Sequence, residues 1–178
     1  VAFSSYPGAL EELTAAKLQA LISELRPVSA SKAGNTSRAS TTSPAADPDL
    51  VLTLATGGTY EVTGCLIVLT AANAAGDFVY GWSWTGTMSV VLGGVGPHNS
   101  LASGSSVDGE FTYLPADSSS PSTTMPYGSS AAGVNIAVNT RVVVTTGGNL
   151  SLIWAQLGSN ANNTTLAADS WITARRTA

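Results

Sequence analysis

The period of the apolar positions changes once along the chain, near residue 28. Leu18, Leu21, Ile22 and Leu25 fall at i, i+3, i+4 and i+7, one stripe of a helix, and Leu10 and Leu13 extend the stripe a turn earlier. Thr14 suits an N-cap and Pro27 a stop, so the pattern predicts a helix over Ala15–Leu25. About three turns are marginal alone, so this helix has to dock on something: its own domain, a second copy or another protein. From 29 to 49 the run SASKAGNTSRASTTSPAADPD is small, polar and without period. It predicts a flexible linker or an extended arm.

From residue 50 onward almost everything reads as strand. Residues 50–55 are a short apolar run. In 59–70, Tyr60 and Val62 alternate with Glu61 and Thr63; Gly64 then predicts a bulge or bend, and Cys65 to Leu69 is apolar on both faces, which predicts burial on both. In 77–85, Phe78, Tyr80, Trp82 and Trp84 share one face, and Val79, Gly81, Ser83 and Thr85 the other. Further strands are expected at 87–92, 107–114, 134–138, 141–146, 150–157 and 169–176. Gly147-Gly148-Asn149 forms a hairpin turn, and 93–106 and 115–133 form loops. About nine strands without an internal helix or repeat predict a mainly β chain, an antiparallel β-sandwich of jelly-roll type. The expected organisation is therefore a helical N-terminal segment at 1–28, a linker at 29–49 and a β-sandwich at 50–178.

Composition narrows the class. Charged residues make up 10% of 178 positions, against about 25% in an average domain. Ser and Thr number 44, Gly 18, and the apolar fraction is 44%, enough for a core. A net charge of −4 argues against a nucleic-acid partner. No run of about 18 apolar residues predicts a membrane span. The N-terminus shows no basic region followed by an apolar run, so synthesis in the cytosol is expected.

Candidate chemistry is sparse. His98, the single histidine, sits in the turn-like Gly96-Pro97-His98-Asn99, far from any nucleophile motif. With one histidine and one cysteine, Cys65, the chain has no His/Cys zinc set and no internal disulfide. The acids are scattered, so no catalytic pair and no catalytic residue is assigned. Asp47-Pro48-Asp49 and Asp108-Gly109-Glu110 supply oxygens suited to calcium, but turn chemistry explains both with fewer assumptions, and no metal or cofactor is expected. Lys32 and Arg38 make 29–49 mildly basic. The aromatic face Phe78, Tyr80, Trp82, Trp84, with Trp154 and Trp171 on other strands, is read as core or subunit interface; stacking on sugar rings is the alternative.

Two stretches carry a resemblance. Tyr6-Pro7-Gly8 followed by Leu13-Thr14-Ala15-Ala16-Lys17-Leu18-Gln19-Ala20 resembles the G-x-x-L-T-A-A-K-L-N-A opening of virion structural proteins of tailed phages, especially those of actinobacteria, with Gln19 in place of Asn. Gly58-Thr59-Tyr60-Glu61-Val62-Thr63-Gly64, Gly147-Gly148-Asn149-Leu150-Ser151-Leu152-Ile153-Trp154-Ala155-Gln156 and Ala168-Asp169-Ser170-Trp171-Ile172-Thr173-Ala174-Arg175-Arg176 resemble their C-terminal β domain, and the G-x-Y-x-V start is similar to the trimeric C1q/TNF-type jelly roll. The resemblance implies a non-enzymatic virion protein, assembled in the host cytoplasm. It implies a capsid decoration protein that docks by its N-terminal arm on the major capsid protein or another virion protein and holds its β domain outward. Docking would then fall to Leu10, Leu13, Leu18, Leu21, Ile22 and Leu25. A homotrimer follows from the C1q/TNF-like pattern and the doubly apolar half-strand. The alternative is a minor tail or fibre protein whose 93–106 and 115–133 loops contact host-surface carbohydrate.

Overall fold

The structure, a computed structural model, describes residues 15–70, 77–91, 93–97, 109–113, 124–127 and 133–178. The helix α1 spans Ala15–Leu25, where the apolar period places it. Strands β1 (Val28–Ser31), β2 (Thr36–Arg38), β3 (Ala45–Leu54), β4 (Gly58–Thr70), β5 (Phe78–Trp84), β6 (Thr87–Val91) and β7 (Gly93–Pro97) follow. Then come β8 (Gly109–Tyr113), β9 (Thr124–Tyr127), β10 (Val134–Thr146), β11 (Gly148–Gln156), β12 (Thr164–Leu166) and β13 (Trp171–Arg176).

All pairings among these strands are antiparallel. The larger sheet has the order β1-β13-β4-β10-β7-β8; β12 continues β13's side of β4 and carries β2, and β6 continues β7's side of β10. The smaller sheet is β3-β11-β5-β9. Taking β1, β3, β4, β5, β9, β10, β11 and β13 as eight successive strands, the two sheets read 1-8-3-6 and 2-7-4-5. Consecutive strands pass back and forth between the layers at every step except from β5 to β9, as in a jelly roll.

Strict alternation makes the core. Along β10, Val134, Ile136, Val138, Thr140, Val142 and Val144 are buried, while Asn135, Ala137, Asn139 and Arg141 are exposed. The two strands expected at 134–138 and 141–146 are thus one strand. Thr140 breaks the apolar pattern in the sequence, yet points inward and accepts the Trp82 indole N–H at 3.2 Å. Tyr60, Val62, Leu66 and Val68 of β4 face Leu50, Leu52 and Leu54 of β3, Leu150, Leu152 and Trp154 of β11, and the inward face of β5 within a single hydrophobic cluster. Burying side chains of this size contributes about 1.5–3 kcal/mol each before entropy.

Further expectations are corrected. Inside the expected loops 93–106 and 115–133, Gly93–Pro97 is strand β7, paired with β10 and β8, and Thr124–Tyr127 is strand β9, paired with β5. Gly64 is not a bulge: β4 keeps unbroken register through it, opposite Val138 on one side and Ile172 on the other. Glycine is needed there because a Cβ would run into the Trp171 carbonyl and lie 2.9 Å from the Ile172 Cγ2. The segment 29–49 is not a linker, and the sandwich starts at Val28 rather than at residue 50. β1 pairs with β13, β2 with β12, and β3 begins at Ala45. These strands lack an apolar period because they are joined partly by hydroxyl pairs: Ser29 to Thr173 at 2.8 Å and Ser37 to Thr165 at 2.7 Å. Val28 and Ala30 pack against the core from the edge.

Gly64→Ala is expected to destabilise the fold by about 1–3 kcal/mol through overpacking, measured as a lower urea midpoint with unchanged m-value. A chain starting at residue 27 should unfold cooperatively. One starting at Asp47 should lose roughly 3–5 kcal/mol or fail to fold, because it removes Lys32, the cation that pairs with Asp47 in the interior.

Candidate functional site

The aromatic residues form a closed interior. Phe78, Tyr80, Trp82 and Trp154 are buried, and Tyr127 of β9 joins them. Tyr80 and Tyr127 stack with ring centroids 5.5 Å apart, and Phe78 lies 5.6 Å from Trp154. Their polar atoms are used internally: the Tyr80 hydroxyl donates to the Gly93 carbonyl at 3.1 Å and the Trp154 indole N–H to Asp47 Oδ2 at 3.2 Å. Gly94 leaves room for both tyrosine hydroxyls, each 2.5 Å from where a Cβ would stand. None of these four rings can reach a sugar. Trp84 is half-buried at the edge of the cluster. Trp171 departs from the core reading: it is 42% exposed, on the outward face of β13.

That outward face carries the surface features of interest. Val95 of β7 registers with Ala137 of β10, Ala137 with Cys65 of β4, and Cys65 with Trp171. One row perpendicular to the strands is therefore apolar across four strands of the larger sheet, with Val95 37% exposed. Cys65, Ile67 and Leu69, expected to be buried, are half-buried. Partial burial pushes the Cys65 thiol up, which keeps it protonated. The second apolar surface is α1, where Leu18 is 43% and Ile22 55% exposed. Leu21 and Leu25 share the helix; Leu10, Leu13 and His98 lie outside the described residues, as do Asp108 and most of 115–133.

A buried ionic cluster was not legible as such. β3 slips register against β11 between Ser151 and Ile153, and Asp47-Pro48-Asp49 occupies the irregularity, where proline's missing N–H costs no ladder bond. Asp47 Oδ1 accepts the backbone N–H groups of Asp49 at 3.1 Å and Leu50 at 3.3 Å, which turns its carboxylate inward. Lys32 Nζ lies 2.9 Å from both Asp47 oxygens, 3.1 Å from Asp49 Oδ2 and 2.9 Å from Thr36 Oγ1. The Lys32 and Asp47 side chains are fully buried. Arg38 donates to the carbonyls of Ala45, Ala46 and Trp154, and its guanidinium sits 4.0 Å over the Trp154 ring. The sequence signal for this cluster was the pairing of a lone lysine with Asp-Pro-Asp in a stretch otherwise nearly free of charge. The Asp47 carboxylate meets the Lys32 ammonium, and among the described residues no group of three His, Cys, Asp or Glu side chains converges on a metal position. Among the same residues no helix is long and apolar enough to cross a membrane.

Burial, with Tyr127 adding to it, pushes the Tyr80 phenol well above 10.0. A raised value means the neutral form is favoured by folding. The contribution is complete below the unfolded value near pH 10 and is lost as pH rises past it. Unfolding midpoints should therefore fall above about pH 10, and Tyr80→Phe should flatten that slope while costing about 1 kcal/mol at neutral pH. Denaturant melts at several pH values check both.

No known family matches the chain, and no curated protein does. Solved structures with some likeness include the VP2 subviral particle of infectious bursal disease virus, 6% identical with a TM-score of 0.22, covering 85% of this chain and 40% of that one. The Gt strain of the same virus is 8% identical at 0.22, covering 85% and 42%. The chain spans about two fifths of the length of these proteins. TM-scores of this size lie far below those of a shared fold, so these neighbours assign no function to the chain.

Proposed function

We propose that this chain is a non-enzymatic virion structural protein that decorates a capsid, docking through α1 and holding the β-sandwich outward. The observation that carries the reading is the exposure of Leu18 and Ile22 beside a sandwich that fills its own core without them. A helix of 11 residues is marginal in water unless its apolar stripe is covered, and here the occupant is a repeating shell of major capsid protein. Each of the two side chains contributes roughly 1.5–3 kcal/mol on burial before association costs. The phage-like opening at Tyr6 to Ala20 and the low charge of the strands agree with this reading. The burial of Phe78, Tyr80, Trp82 and Trp154 means that these rings lend no support to the tail-fibre alternative, which rests on the 93–106 and 115–133 segments.

The same reading takes the protein as a homotrimer. The row Val95, Ala137, Cys65, Trp171 is the surface a second and third copy would cover, and three arms on one particle would bind by avidity.

Leu18→Asp with Ile22→Asp alters only exposed positions of α1, so the fold should persist while binding to particles lacking the protein is lost. Full occupancy by this variant would exclude α1 as the anchor. Light scattering at micromolar concentration should return three times the chain mass, and Trp171→Lys should shift it toward one. A stable wild-type monomer refutes the trimer. Counting copies per particle separates decoration, with many, from a tail role, with few.

A further inference from the structure

We propose that Lys32 and Asp47 become joined by an intramolecular isopeptide bond, formed by the folded protein itself with Asp49 as the proton carrier. The geometry is that of reactants. An Nζ 2.9 Å from both carboxylate oxygens is within about 3.3 Å of the carbon between them, inside the roughly 3–3.5 Å of a near-attack contact. The two groups come from β3 and from the residue that follows β1, so folding of the two sheets brings them together.

Burial supplies the drive. Both side chains have zero exposure, and holding an ion pair there costs desolvation that a neutral amide avoids. Passing one proton from the ammonium to the Asp47 carboxylate gives a neutral amine and a carboxylic acid. The Nζ lone pair then attacks Cγ. The Asp49 and Leu50 N–H groups, both on Oδ1, stabilise the charge that develops on that oxygen. Asp49 Oδ2, 3.1 Å from Nζ, takes a proton from nitrogen and returns it to the departing Oδ2 hydroxyl of Asp47. The C–O bond breaks and water leaves. Ammonium plus carboxylate become amide plus water; charge balances, nothing is oxidised or reduced, and Asp49 is regenerated. Asp49 is 38% exposed at its side chain, which gives the water a way out.

The arrangement differs from an ordinary structural ion pair in having a third group, a second carboxylate, on the nucleophile. An ion pair needs only Asp47. Forming the amide removes the two fully buried charges together and leaves the partly exposed Asp49 carboxylate.

Intact mass spectrometry of the denatured full-length chain tests this directly. The expected mass is below that of the sequence by one water, ~18 Da, and digestion should release a branched peptide linking Lys32 to Asp47. Fragmentation of that peptide separates the crosslink from a succinimide, which Asp47 cannot form because Pro48 has no N–H. Lys32→Arg should restore the sequence mass. Asp49→Asn keeps both partners and should also return to the sequence mass, with a native-like near-ultraviolet spectrum. A wild-type chain at its full sequence mass overturns the proposal whatever the variants do. An Asp49→Asn chain still one water light overturns the part given to Asp49.

Discussion

A carboxylate with no solvent contact survives only if donors surround it, and Asp47 has four: the Lys32 ammonium, the Asp49 and Leu50 amides and the Trp154 indole. Those donors come from three places in the chain. Lys32 follows the edge strand of the larger sheet, the two amides belong to the edge strand of the smaller sheet, and Trp154 stands in the centre of the core. One side chain thereby fixes how the edges of two layers meet. Arg38 closes the same corner from outside by holding the carbonyls of Ala45 and Ala46, just before the irregularity in β3. Without this corner, β1 and β2 would hold to the sandwich by short ladders of small residues alone.

Much of the sandwich was legible because alternation is a physical demand of a sheet with one dry face. The long strand β4 and the aromatic strand β5 were read within a residue or two, and so was α1; the turn at Gly147 is where the sequence puts it, but it carries the chain from β10 in one sheet to β11 in the other and is not a hairpin. What was missed had a different physical basis. Residues 29–49 carry no apolar period since hydroxyl pairs and one ion pair join them to the sheets, and small polar side chains look alike in a strand and in a tether. Thr140 split one strand into two on paper because a polar residue can point inward when an indole N–H awaits it. Trp171 looked like core because aromatics usually are. Its register beside Cys65 places it on the outward face, and no rule of composition distinguishes that.

The candidate surfaces divide by the same logic. The stripe on α1 could be read from spacing, since a helix displays its period whether or not it has a partner. The apolar row across the larger sheet could not, because Val95, Ala137, Cys65 and Trp171 are scattered in sequence and adjacent only through pairing. The aromatic cluster shows the converse. The run of rings on β5 reads as core from the sequence, with sugar stacking as the alternative. In the structure the opposite sheet covers Phe78, Tyr80 and Trp82, and the Tyr80 hydroxyl and the Trp82 and Trp154 indoles are engaged within the protein.

The position of β13 has a practical consequence for any use of this protein as a carrier. Val28 pairs with Ala174, and the backbone of Thr59 exchanges hydrogen bonds with Thr177 and Ala178. The polypeptide thus enters the sandwich from α1 and finishes its last strand at one end of the barrel-like body. A peptide genetically appended after β13 would emerge next to the end of the sandwich at which α1 joins β1. The facing ends of β7 and β8, at Pro97 and Gly109, lie at the opposite end of the sheet. Cargo inserted between them would stand at the end of the sheet away from α1 and from the last residues of the chain.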